Sequence, residues 1–220
     1  MNTPRFPTQV AALLALSVIV FPAVLGARVG ETQDVLEKRL LQPGLGKIYP
    51  HASADASKDK DKFRKKDDDP LKDVRLFLPV ETREMLYWKS AIANHLSNET
   101  GWKVDVLYVA GRSALEAYKR VGDSLNEFEV RGILNANRGN SSWKKMSNDG
   151  GGVNGIGYDY ELEDGSMRAK QQDSWIIVFA TKLDNYVMQQ QVIAKAASDV
   201  ARDAQKQEQA LKAPESLSGF

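Results

Sequence analysis

The chain has 220 residues and carries 30 Lys and Arg against 29 Asp and Glu, a net charge of +1. That balance excludes a global electrostatic pull toward nucleic acid or anionic lipid, which needs a cationic surplus. Cysteine is absent, which excludes thiolate nucleophiles, thiolate-bound zinc, iron–sulfur clusters and disulfides, so packing alone must hold a domain of ordinary size together.

Residues 1–27 read as an export signal. Arg5 is the charge of the leading segment, Val10 to Phe21 is apolar apart from Ser17, and Pro22 ends the run. Small residues at Gly26 and Ala27 offer a signal peptidase a cut after either one. An uncleaved anchor is the competing reading, but a spanning helix needs about 20 apolar residues. Removing the segment takes away one base and no acid, leaving a mature chain with 29 of each sign. The expected location is periplasmic or extracellular, with no acylated cysteine at the cut and no contact with the membrane beyond the signal.

Residues 28–50 begin with a helix. Thr32 suits its N-cap and Asp34 its first turn, while Val35, Leu36 and Leu40 mark an apolar face. Gln42 to Gly46, with Pro43 and two glycines, stops it. Residues 51–72 form a charged linker in which Lys58 to Lys66 alternates into a basic run before Asp67, Asp68 and Asp69. Such composition buries too little apolar surface to offset the entropy of ordering. Three consecutive aspartates also lack the alternate spacing and glycine turn of a calcium loop, so no metal is expected.

The main domain is read over residues 73–183. Leu76 to Val80 is a strand candidate kept to an edge by Pro79. Residues 82–97 stay open between helix and strand, because Met85, Trp88, Ile92 and Leu96 fit helical spacing while Thr82 to Trp88 also fits a strand. Trp102, Val104, Val106 and Tyr108 share one strand face, with Lys103 and Asp105 on the other. After a two-residue turn at Ala110-Gly111, Leu115, Ala117 and Val121 are expected to join that apolar face, leaving Glu116 and Arg120 on the polar one. Ser124 and Glu127 have the spacing of a capping box opening a helix with Leu125, Phe128, Ile133 and Ala136 inward and an end at Gly139.

A glycine-rich loop, residues 147–157, leads into a second hairpin. A type I′ turn at Asp164-Gly165 sets Glu161 against Arg168, Asp159 against Lys170, Tyr160 against Ala169 and Leu162 against Met167. Trp175 to Ala180 is apolar throughout, as a mid-sheet strand covered on both faces would be. Over residues 184–220 Asp184 suits a cap, and Val187, Ile193, Ala197, Val200 and Ala204 form the stripe of a last helix. The fold class is α+β: an antiparallel sheet built from hairpins, with helices packed on it.

No catalytic set converges. The only histidines are His51, in the charged linker, and His95, in the open segment, and no Gly-x-Ser-x-Gly elbow accompanies them. Asp159, Glu161 and Glu163 alternate along one strand face, and glycoside hydrolysis requires paired carboxylates, yet their match to Arg168 and Lys170 fits cross-strand pairing. The glycines at 150–152, 155 and 157 lack the strand before and helix after that a phosphate loop requires. No cofactor is implied. Trp143 beside Lys144 and Lys145 is the candidate contact for a partner, against packing over the end of the sheet.

Arg28 to Leu40 resembles the opening helix of small exported envelope proteins with a BamE/SmpA-like domain, where a Gly-x-Thr turn precedes a helix and a three-stranded antiparallel sheet. Leu125 to Trp143 resembles a segment of exported bacterial proteins. The resemblance implies a non-enzymatic binding or scaffold role in the bacterial envelope with a protein partner there, and it transfers no functional residue. The alternative from the residues alone is a hydrolase of an envelope or extracellular polymer using paired carboxylates.

Overall fold

The computed structural model of the chain describes residues 29–40, 46–50, 69–89, 101–147 and 155–211. The signal segment, the charged linker up to Asp68, both histidines and most of the glycine-rich loop lie outside them. The described residues form an antiparallel sheet with helices on it. Its elements are α1 (Gln33–Leu40), β1 (Gly46–Pro50), β2 (Arg83–Lys89), β3 (Gly101–Val109), β4 (Arg112–Val121), α2 (Glu127–Asn137), β5 (Trp143–Lys145), β6 (Tyr160–Leu162), β7 (Met167–Gln172), β8 (Trp175–Ala180) and α3 (Thr181–Leu211).

The eight strands lie in the order β1-β2-β3-β4-β8-β7-β6-β5. Each half of the chain therefore repeats one plan, a helix followed by a four-stranded meander. The halves join where β4 pairs with β8, Glu116 opposite Val178. Both α1 and α2 cover the first face, through Leu36 and Leu40 in one half and Val130 and Leu134 in the other. The second face is closed by Leu71, Val74, Leu183 and Val187, packed on Leu107, Leu115, Ile177 and Phe179. β8 is buried along its whole length, as an apolar run in mid-sheet requires.

Local chemistry sets the turns. Ala110 (φ 51°) and Gly111 (φ 75°) both take the left-handed conformation, which gives β3 and β4 the two-residue turn expected of them. The register then slips: Tyr108 lies opposite Ser113 but Leu107 opposite Leu115, so Ala114 is an extra, bulged residue. Side chains alternate with a period of two, so one added residue exchanges the faces. Leu115 and Ala117 thereby join Leu107 on the second face, and Glu116 turns into the first core, contrary to the sequence expectation. The second hairpin keeps its expected register, with Tyr160 opposite Ala169 and Glu161 opposite Arg168. Its turn differs, because only Gly165 is left-handed (φ 68°) and Gly165 N–H donates to the Leu162 carbonyl at 2.8 Å.

Three other expectations are corrected. Leu76 to Val80 is no strand: Arg75–Phe77 is a single 3-10 turn, and Leu76 and Val80 are 89% and 101% exposed. Backbone bonds here close locally, Val74 N–H to Leu71 O, Phe77 N–H to Val74 O and Thr82 N–H to Pro79 O, and no strand of the sheet pairs with the segment. The capping box of α2 sits two residues later than Ser124, at Asn126 and Glu129; Phe128 accordingly points outward, 83% exposed. Asp184 lies inside the first turn of α3, whose first residue is Thr181. Residues 82–97 resolve into β2 as far as Lys89.

Candidate functional site

The most concentrated chemistry lies under α1. Gly30 N–H donates to the Ser113 carbonyl and Ser113 N–H to the Glu31 carbonyl, both at 2.8 Å, while Arg112 donates to the Gly30 carbonyl, which ties the segment before α1 to the start of β4 and brings Glu31 beside Arg39. The Arg39 guanidinium donates to Glu31 at 2.8 Å and to the fully buried Glu116 at 3.4 Å. The Tyr118 hydroxyl also donates to Glu116. Glu116 Oε1 and Arg39 Nη1 are both buried without a hydrogen-bond partner. Burial raises the Glu116 carboxyl well above its ordinary value, against the opposing pull of the Arg39 charge and the Tyr118 bond.

A second set adjoins it. Tyr87 donates to Glu37 at 3.0 Å and shares a 3.1 Å bond with Tyr108. Burial pushes the Tyr108 hydroxyl up to about 12 and raises Tyr87 as well, so neither phenol ionises near neutrality. Glu116 is closed off from solvent, while Arg39 and Glu31 are partly exposed, and together they hold α1 on the sheet.

At the start of α3 the end of the glycine-rich loop is fastened. Asp184 accepts from Ile156 N–H at 2.7 Å and from Arg168 at 2.6 Å; Gln191 accepts from Gly155 N–H at 2.5 Å. Arg168 also bonds Glu161 at 2.8 Å and stacks on Tyr158, 4.2 Å from its ring centre. The carboxylates weighed as a hydrolytic set are thus spoken for: Glu161 by Arg168, Glu163 by Lys144 at 3.6 Å, and Asp159 by Gln171 N–H at 2.7 Å.

Trp143, Lys144 and Lys145 form β5, at one edge of the sheet. The Trp143 indole N–H donates to the Leu134 carbonyl at 2.7 Å, near the end of α2, and its half-buried ring packs against the first core. Lys144 and Lys145 are exposed. The structure thus places the tryptophan in packing and the lysines in solvent.

The least satisfied surface belongs to α3. Its first turns are rooted by Leu183 and Val187 against β8 and the Arg75–Phe77 turn. From Val192 to Gln209 every residue is exposed except Asp199. Val192, Ile193 and Val200 are 54%, 60% and 71% exposed, so among the described residues the stripe legible in the sequence finds no partner beyond Val187. Among the described residues no cluster of His, Asp or Glu is placed to hold a metal ion, and no helix is long and apolar enough to cross a membrane. Sequence reasoning missed the Glu31, Arg39 and Glu116 set; its one signal is an acid in an otherwise apolar stretch of β4, Ala114 to Ala117. Compared with known protein families, curated proteins and solved structures, the chain matches none.

Proposed function

We propose that the chain is an exported, non-enzymatic binding or scaffold domain of the bacterial envelope that meets a protein partner through the free part of α3. The observation that carries this reading is a helix with apolar side chains in solvent from Val192 onward. A helix gains most of its stability from packing an apolar face, and exposed patches of this kind mark contact surfaces. Export rests on residues 1–27, and an envelope role on the resemblance of Arg28 to Leu40 to BamE/SmpA-like domains. The exposed Lys144 and Lys145 of β5 offer a secondary contact. A hydrolase using Asp159, Glu161 and Glu163 is the weaker reading, since each carboxylate is engaged by a neighbour.

A photo-crosslinking residue placed at Val192 in the full chain is expected to give discrete adducts in intact cells, where the same group at the exposed Asp173 gives none. No adduct at any exposed position of α3 overturns the reading. N-terminal sequencing of the exported chain should begin at Ala27 or Arg28; a retained Met1 removes the cleaved-signal part. Loss of a measured hydrolytic activity on Glu161→Gln would favour the enzyme instead.

A further inference from the structure

We infer that the partner of α3 is a second copy of this chain, packed antiparallel along Ile193, Ala197, Val200 and Ala204; this rests on the reading of α3 as the contact surface. The four positions are exposed and are spaced by four, three and four residues, the alternation of a two-helix seam. At 100° per residue they fall within an arc of about 60°. Leu183 and Val187, which root the helix on the second face, lie about 70° and 110° from the centre of that arc at 100° per residue, and the seam positions themselves are exposed.

Side-chain size selects the orientation. In an antiparallel two-fold pair Ile193 meets Ala204 of the second copy and Ala197 meets Val200, a large group on a small one in every layer, repeated by symmetry. A parallel pair stacks alanine on alanine at 197 and at 204 and leaves gaps between the isoleucine and valine layers. Ala194, Ala196 and Ala201 border the seam and are exposed, while the same spacing continues to Gln190 and Gln207, polar residues that close its two ends.

Charge points the same way. Past Val187 α3 carries Lys195, Arg202 and Lys206 against the half-buried Asp199 and the exposed Asp203 and Glu208, a neutral set with Asp199 bonded to Arg202 at 2.9 Å. A helix lying in an anionic membrane surface wants a polar face rich in Lys and Arg, and a strongly charged protein partner finds no complement here. A second copy does. Parallel pairing would bring Asp203 beside Glu208 of the second copy, whereas antiparallel pairing sets Asp203 against alanine.

Because the chain has no cysteine, introduced thiols are unambiguous. Ile193→Cys and Ala204→Cys variants of the full mature chain, mixed and oxidised, are expected to give the mixed disulfide at least tenfold over either homodisulfide, since like positions of an antiparallel pair lie about 16 Å apart along the axis. Sedimentation should show a dimer whose dissociation constant rises at least tenfold on Val200→Asp with an unchanged melting temperature of the separated chain. Homodisulfides from each variant alone overturn the antiparallel arrangement, and a monomer at every concentration overturns self-pairing. Co-sedimentation with phosphatidylglycerol vesicles in place of dimerisation also overturns it. A monomer that still forms photo-adducts at Val192 with another protein sinks self-pairing and spares the binding reading; a monomer without adducts removes both.

Discussion

Glu116 is an acid set into an apolar row that runs Met85, Val106, Glu116, Val178, Ala169 across five strands. Glu116→Ala takes the acceptor from the buried Tyr118 hydroxyl and loosens Arg39, which keeps Glu31 at 2.8 Å, so it should lower stability by about 1–3 kcal/mol in denaturant titration. The pH dependence has a definite sign. Burial raises the folded carboxyl above its unfolded value, so the folded state holds this proton more tightly. The group's contribution is fully present below about pH 4.3, the ordinary glutamate value, and is lost as pH rises toward the raised folded value. Glu116→Gln removes this term, so its stability relative to the parent should climb with pH above that point, about 1.4 kcal/mol for each tenfold change in proton affinity. A pH-independent difference would contradict this. Gly155 is a second sensitive position: at φ +89° an added Cβ would sit 2.5 Å from Asp184 Oδ1. Gly155→Ala should therefore destabilise by about 1–3 kcal/mol, through backbone strain and disturbance of the Asp184 bonds to Ile156 and Arg168.

Among the elements, β5 joins the two readings of Trp143. Its ring and indole N–H act in packing, so Trp143→Phe should cost about 0.5–1.5 kcal/mol in thermal or chemical unfolding, the value of one hydrogen bond to a carbonyl. Lys144→Ala and Lys145→Ala should leave stability within about 0.5 kcal/mol, as exposed side chains on a short edge strand do. Much of the element plan was legible locally. The Ala110-Gly111 turn, the pairing of Glu161 with Arg168 and the burial of Trp175 to Ala180 follow from period-two patterning and turn chemistry, which act between near neighbours. The bulge at Ala114 was not legible, because a slip of one residue leaves composition and periodicity almost unchanged while reversing the faces. The same slip hid Glu116. Leu76 to Val80 misled for a related reason: apolar residues beside a proline look like an edge strand, yet the segment spends its backbone bonds in turns and sends Leu71 and Val74 inward instead.

Over the whole molecule, two helix-and-meander halves share one sheet, and α3 leaves it. Truncation after Gln191 should keep the melting temperature within about 2 °C, since Val192 to Gln209 are exposed apart from Asp199 and it is Leu183 and Val187 that root the helix in the second core. Truncation before Leu183 should instead destabilise the fold by several kcal/mol, by uncovering Ile177 and Phe179. By itself the sequence determined the three helices, the strand patterning of β3, β7 and β8, the Ala110-Gly111 turn, the charge balance and the thiol-free chemistry, because each depends on residues close together in the chain or on composition. Tertiary structure alone decided which faces are covered, that Glu116 and Arg39 meet in a closed core, and that the stripe of α3 finds no cover within the described chain. Those outcomes depend on contacts between segments distant in sequence, Arg39 with Glu116 and Leu71 with the second core, and no local pattern encodes the distances between them.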